Sequence, residues 1–165
     1  MDIYLRPTQE SDLDFVLSAE SAEDNRPFIQ QWTQLKHLSA LTDPDCRHFI
    51  LAKSEDQKSV GYLILEGLTD QNRAILIRRI VVTEKGKGYG RQALRAIKKF
   101  AFETCDVHRL CLDVKPHNPR AQHLYQSEGF VVEGTLRDCT LIGDRFVSFT
   151  IMSILRHEYQ PVELT

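Results

Sequence analysis

"AILIRRIVVTEKGKGYGRQAL", residues 74–94, decides how the rest of the chain is read. A run rich in Ile and Val has strand character, three glycines follow at 86, 88 and 90, and the residues after them take helical spacing. Glycine loses more conformational freedom on folding than any other residue. Three so close together imply positive φ angles or something that must approach the main chain. The first turn of a helix has N–H groups without internal partners, and its dipole adds partial positive charge, so such a loop suits a phosphate or pyrophosphate. Lys85, Lys87 and Arg91 add charge to it. The plainer alternative is a glycine-rich surface turn with solvated lysines.

Two familiar phosphate loops do not fit. A P-loop needs glycine five residues after its first, and Gly86 has Arg91 there. A dinucleotide fingerprint starting at Gly86 and Gly88 needs its third glycine at the same position. Asp113, at the end of the next strand, stands where a ribose-binding acid belongs and keeps a nucleotide-binding reading open.

Working outward, Ala93, Leu94, Ile97, Ala101 and Phe102 share one helical face, and "RLCLDV" (109–114) supplies a strand after it. This strand, loop, helix and strand form a crossover, which joins parallel strands. Upstream, "RHFILAKS" (47–54), "SVGYLILEG" (59–67) and "NRAILIRRIVV" (72–82) read as an antiparallel meander. Before them come a strand "IYLRP" (3–7), a helix "SDLDFVLSAE" (11–20) capped at or near Ser11, and a second amphipathic helix over 26–41. Phe28, Ile29, Trp32, Leu35 and Leu38 would form the apolar face of that second helix. Downstream, Asn118 as N-cap, Pro119 at N1 and Gly129 at C′ bound a further helix. "FVVEGTL" (130–136) and "RFVSFTIMSIL" (145–155) are strands flanking the turn "IGD", and "HEYQPVELT" (157–165) is a polar tail. The expected fold is α/β (α+β), a mixed, mostly antiparallel sheet with a central parallel pair, flanked by helices.

Composition sets bounds. At 165 residues, 42% apolar and 27% charged, the chain fits one globular domain spanning 1–165. A formal charge of −2 lacks the basic footprint of nucleic-acid binding. No apolar run reaches the roughly 20 residues of a spanning helix, and "MDIYLRPTQESD" does not resemble a signal peptide, so a cytoplasmic protein without a membrane partner is expected. Cys46, Cys105, Cys111 and Cys139 form no C-x-x-C pair and read as reduced, mostly buried thiols. The six histidines show no zinc-binding spacing, so no metal is expected.

"KGKGYG" (85–90) resembles the coenzyme A loop of the GNAT N-acetyltransferase superfamily, with Lys85 where arginine or glutamine is usual. "NPRAQHLYQSEGFVVEGTLR" (118–137) is similar to a second block of that superfamily, within it to the branch that acetylates ribosomal-protein N-termini and polyamines. The element order agrees over essentially the whole chain. The resemblance implies a GNAT fold and direct transfer of an acetyl group from acetyl-CoA to a primary amine, on a peptide N-terminus, a polyamine or another small amine. It implies that Lys85, Gly86, Lys87, Gly88, Tyr89, Gly90 and Arg91 hold the coenzyme pyrophosphate through their backbone. Ile80, Val81 and Val82 would pair with the pantetheine arm as if it were a strand. Asn118 and Arg120 would line the coenzyme, and Tyr125 would point its phenol at the sulfur. Asn118 also reads as a helix cap alone, and Tyr125 as a core aromatic.

Such a transfer needs a neutral amine, a base or water to take its proton, and an acid for the departing thiolate. Tyr125 is the candidate acid. The strand "AILIRRIVV" carries no carboxylate, where many relatives place a glutamate, so Glu66 and Glu84 are the candidate bases. An acyl-cysteine route through Cys111 or Cys139 lacks a suitably spaced histidine and acid. Residues 25–41 and the hairpin around 142–145 would wall the amine site, as in relatives, with Phe28 and Trp32 as lining or core. Glu20, Glu23 and Asp24 form a loose acidic group that also reads as a solvated helix end. The chain would be a monomer or homodimer. A coenzyme A-binding regulatory or assembly module without catalysis is the alternative.

Overall fold

In the computed structural model, which describes residues 2–161, seven strands form one sheet in the order β1-β2-β3-β4-β5-β7-β6. They are β1 (Ile3–Pro7), β2 (Cys46–Lys53), β3 (Ser59–Glu66), β4 (Ala74–Val82), β5 (Arg109–Val114), β6 (Val131–Ile142) and β7 (Arg145–Leu155). All neighbours are antiparallel except β4 and β5, the parallel pair that the crossover requires. The helices are α1 (Leu13–Ser21), α2 (Gln34–Thr42), α3 (Tyr89–Lys99) and α4 (Pro119–Ser127).

Helices on both faces explain why β3 is buried from Val60 to Leu65 rather than alternating. Against one face α3 packs Ala93, Leu94 and Ile97 onto Leu63, Leu65, Ile75 and Ile77. Ala101 and Phe102 belong to the same cluster, reached through a π-helical turn, Phe100–Thr104, that extends α3. On the other face Val16 and Ala19 of α1 meet Ile50, Tyr62, Ile64 and Val81.

A bulge breaks β4. Ile64 pairs with Arg79 and Leu65 with Ile77, which leaves Arg78 as the extra residue. The period of two therefore slips: Ile75 and Ile77 before the bulge and Ile80 and Val82 after it belong with the α3-side core, while Val81 belongs to the α1-side core. Through this slip Arg79 lies buried.

Several expectations need correction. The helix over 26–41 is a 3₁₀ turn at Arg26–Phe28, a non-helical stretch, and only then α2, capped by Thr33 Oγ1 accepting from Lys36 N at 3.2 Å. Leu35, assigned to its apolar face, is 75% exposed, and the one buried residue of α2 is His37. Helix α1 starts after a 3₁₀ turn at Glu10–Asp12, and its N-cap is Asp12, next to Ser11 as expected; the Asp12 carboxylate accepts a hydrogen bond from the Gln9 N–H. Strand β6 runs six residues beyond "FVVEGTL", to Ile142, through an irregularity between Leu136 and Thr140. Of the cysteines only Cys46 is buried, and Cys139 is exposed. In the tail, Arg156–Glu158 makes a 3₁₀ turn and Tyr159 stacks on Phe102, while residues 162–165 lie outside the described residues.

Candidate active site

Strands β4 and β5 pair only from Ala74–Arg109 to Ile77–Leu112. Beyond that point β5 follows β7 as far as Val114, and β4 keeps β3 as its neighbour. The two strands fork, so among the described residues Ile80, Val81 and Val82 have a strand on one side only. A cavity of about 820 Å³ opens at the fork, within the size range of small-molecule and cofactor sites. The glycine loop, β4 beyond the bulge, the start of α4, the segment before α2 and the tip of the β6–β7 hairpin line it.

The loop uses its glycines in two ways. Gly86 and Gly88 both have φ of +77°, a left-handed conformation that other residues adopt at a cost, and Gly88 is the N-cap of α3. Gly90 is helical, and a Cβ there would lie 3.4 Å from Leu124 Cδ2, so it lets α3 approach α4. The charges are less free than the sequence suggested. Arg91 Nη1 is 2.5 Å from Glu128 Oε1, and with Arg95 and Lys98 it grips that buried carboxylate at the end of α4. These cations hold the Glu128 carboxyl below its ordinary range against the opposing effect of burial. Lys85 Nζ donates to Asn25 Oδ1, and partial desolvation lowers its pKa. Lys87 is exposed.

Helix α4 begins as expected, with Asn118 Oδ1 accepting from Ala121 N at 3.2 Å and Pro119 in its first turn, and Gly129 follows it with φ of +93°. Asn118, Arg120, His123 and Tyr125 line the cavity. Tyr125 is half-buried and packs near Phe130, its hydroxyl has no hydrogen-bond partner among the described residues, and burial pushes its phenol up to about 12. It is therefore protonated throughout the neutral range.

Three carboxylates of interest border the cavity in different states. Glu66 accepts from Arg78 Nη2 at 2.7 Å. Glu84 lies between Lys53 and Lys58, each 3.4 Å away, and its pKa is lowered by them. Asp113, just past the last β4–β5 pair, forms no salt bridge among the described residues, and desolvation raises its pKa. In the sequence Asp113 stands out only as a ribose ligand. It lies within β5, one residue past Leu112, the last residue paired with β4, and keeps only β7 as its neighbour among the described residues.

The least legible part is the acceptor wall. Glu20 is 1% exposed and takes four donors: Tyr62 Oη at 2.7 Å, Arg79 Nη1 at 2.6 Å and a His37 ring nitrogen at 3.0 Å on Oε2, and Trp32 N at 2.9 Å on Oε1. Its pKa is lowered by these partners, against burial. His37 continues to His48 at 3.2 Å, and His48 to Thr8 at 2.8 Å. Glu20 is thus no solvated helix end, and it does not join the exposed Glu23 and Asp24 in an acidic group. Arg79 also donates to Gln30 O at 2.6 Å, so the buried carboxylate and its arginine fix the backbone that presents Trp32. The same segment is tied to the glycine loop through Asn25 and to the β5–α4 connection through Phe28, which stacks on His117. Phe28 and Trp32 both line the cavity.

A family model described as the acetyltransferase (GNAT) family matches residues 8–130. The spermidine N(1)-acetyltransferase of Vibrio cholerae serotype O1 is 26% identical over 168 residues, covering 95% of each chain. That of Escherichia coli strain K12 is also 26% identical, covering 95% of this chain and 88% of its own. Among solved structures, the spermidine N-acetyltransferase from Vibrio cholerae in complex with CoA and spermine superposes with a TM-score of 0.84 at 23% identity, over 95% of this chain and 97% of that one. That likeness is one of fold.

Proposed function

The chain belongs to the acetyltransferase (GNAT) family, and from that footing we propose that its acceptor is a small aliphatic polyamine, acetylated on a primary amine in the cavity at the β4–β5 fork. The enzyme is an acetyl-CoA-dependent N-acetyltransferase. The observation that carries the site is the fork itself. One edge of β4 from Ile80 to Val82 has no strand beside it among the described residues, next to a loop whose left-handed glycines open onto the same cavity. These residues fit coenzyme A: the bare loop and the start of α3 suit its pyrophosphate, and the open strand edge suits an extended arm. Acetyl-CoA supplies an activated acyl group.

The chain's own residues then manage protons. The amine loses a proton before it attacks and another as the amide forms, while the thiolate gains one, so one proton leaves the site per turnover. Tyr125 donates to the thiolate and is reprotonated from solvent. Asp113 takes the amine proton, directly or through water, because Glu66 and Glu84 are engaged by Arg78 and by Lys53 and Lys58. Support for a polyamine comes from the two full-length relatives that act on spermidine. Steady-state assays of thiol release with spermidine, spermine, putrescine, monoamines, amino acids and N-terminal peptides test the reading. Polyamines are expected to give the highest kcat/KM, and a preference for peptide N-termini would overturn it.

A further inference from the structure

The Trp32 indole is held in place on the acceptor side of the cavity. Its backbone N–H is bound by Glu20, the His37 ring lies 5.2 Å away between centroids, and Arg79 Cζ is 4.8 Å from the ring centroid. The Arg79 charge is answered by Glu20 at 2.6 Å. A second cation stands over the same ring: Lys36 Nζ is 4.3 Å from its centroid. Lys36 belongs to the first turn of α2, is exposed, and has no salt-bridge partner among the described residues. Chemically, its side chain is a primary ammonium on a flexible alkyl stem, like the end of an aliphatic polyamine.

We propose that the Trp32 indole is the seat of the acceptor's distal ammonium, and that Lys36 occupies this seat until a polyamine displaces it. The inference rests on the polyamine reading above. An ammonium within about 6 Å of an indole face is attracted by the ring quadrupole, and Trp is the strongest of the aromatic partners. Displacing Lys36 costs little, because an exposed lysine regains rotamer freedom and hydration when it swings away. Asp24 and Asp113 line the same cavity without salt bridges among the described residues and favour a cation there. A monoamine carries one ammonium, cannot fill the seat and the acetylation position at once, and so gains nothing from the seat in turnover.

Trp32 is the only tryptophan of the chain, so its fluorescence reports the seat without reference to turnover. The experiment titrates putrescine, spermidine and butylamine into the protein with coenzyme A present, and measures KM for the same amines in the parent, Lys36→Gln and Trp32→Leu. Putrescine and spermidine are expected to change the emission saturably at concentrations well below those that butylamine requires. Lys36→Gln should lower the half-saturating polyamine concentration several-fold. Trp32→Leu should raise polyamine KM about five- to thirtyfold, with the KM for butylamine and acetyl-CoA nearly unchanged. Polyamine turnover with unchanged emission, or equal effects of Trp32→Leu on butylamine and spermidine, would overturn the seat and leave the activity standing. Saturable emission changes without acetyl transfer would uphold the seat and remove the proposed substrate. Neither signal would remove both.

Discussion

At the scale of single residues, proton transfer sets the expectations. Tyr125→Phe keeps the ring against Phe130 and removes only the hydroxyl, so coenzyme affinity and thermal stability should stay near the parent's while single-turnover rates fall about 100-fold. Asp113→Asn should lower kcat to a similar degree and also alter the pH profile. The Asp113 pKa is raised by desolvation, so in the parent the acid limb of kcat/KM should lie above the ordinary carboxylate range of about 3.9 and vanish in the variant. Rates measured across the acid and neutral range check both, and an unchanged limb in Asp113→Asn would return the role of base to Glu66, Glu84 or water. Tyr125 could be singled out from its motif. Asp113 could not be ranked above the two glutamates, because their neutralising partners Arg78, Lys53 and Lys58 come from other strands and loops.

At the scale of elements, the glycine loop and the α3–α4 pair are separate devices. Gly88→Val puts a β-branched residue at a φ of +77°, where no neighbour within 4 Å blocks its Cβ but the backbone itself is strained by roughly 1–2 kcal/mol. The loop relaxes by changing shape, so coenzyme A affinity measured by calorimetry should fall at least about tenfold with the helical circular dichroism retained. Lys87→Ala, at an exposed position, should weaken binding modestly and in a salt-dependent way. Equal losses from the two variants would mean that charge, not backbone shape, holds the phosphates. Arg91 belongs to the other device. Its side chain helps fasten α3 to Glu128, and so sets where α4 presents Tyr125 relative to the loop.

Across the whole molecule, the Thr8–His48–His37–Glu20 chain ties β2 and the residue after β1 to the acceptor wall, and this makes stability sensitive to acid. Burial lowers the His48 pKa from 6.5 to about 4, so the unfolded chain binds a proton between these values that the folded one refuses. Stability from this group is complete above about 6.5 and is lost as pH falls toward 4, a change of about 3 kcal/mol. Glu20, whose pKa is lowered, adds a loss in the same direction at lower pH. Urea midpoints measured from pH 7 to 4 should decline less steeply in His48→Gln than in the parent. Parallel declines would show that His48 is protonated in the fold without penalty. Independently, saturating coenzyme A should stabilise the protein by about 3 kcal/mol at a hundredfold excess over its dissociation constant, far more than ATP or NADH.

What the sequence by itself determined is local. Apolar periodicity marked the β3, β4 and α3 segments, Asn118, Pro119 and Gly129 bounded α4, and the crossover after the glycines required the parallel β4–β5 pair. Each of these depends on neighbours a few residues apart, and so does the left-handed backbone at Gly86 and Gly88. Only the tertiary structure decided the start of α2, the burial of Glu20, the role of Arg91 and the freedom of Asp113. The residues from Ile29 to Trp32 have helical spacing, but Glu20 and Arg79 bind their backbone, and those hydrogen bonds replace the ones a helix would make. A carboxylate is buried only when donors distant in sequence converge on it: Trp32, His37, Tyr62 and Arg79 reach Glu20 across 12 to 59 positions of chain. That convergence is a property of the folded sheet, since the bulge at Arg78 turns Arg79 toward Glu20, and no periodicity within β4 announces it.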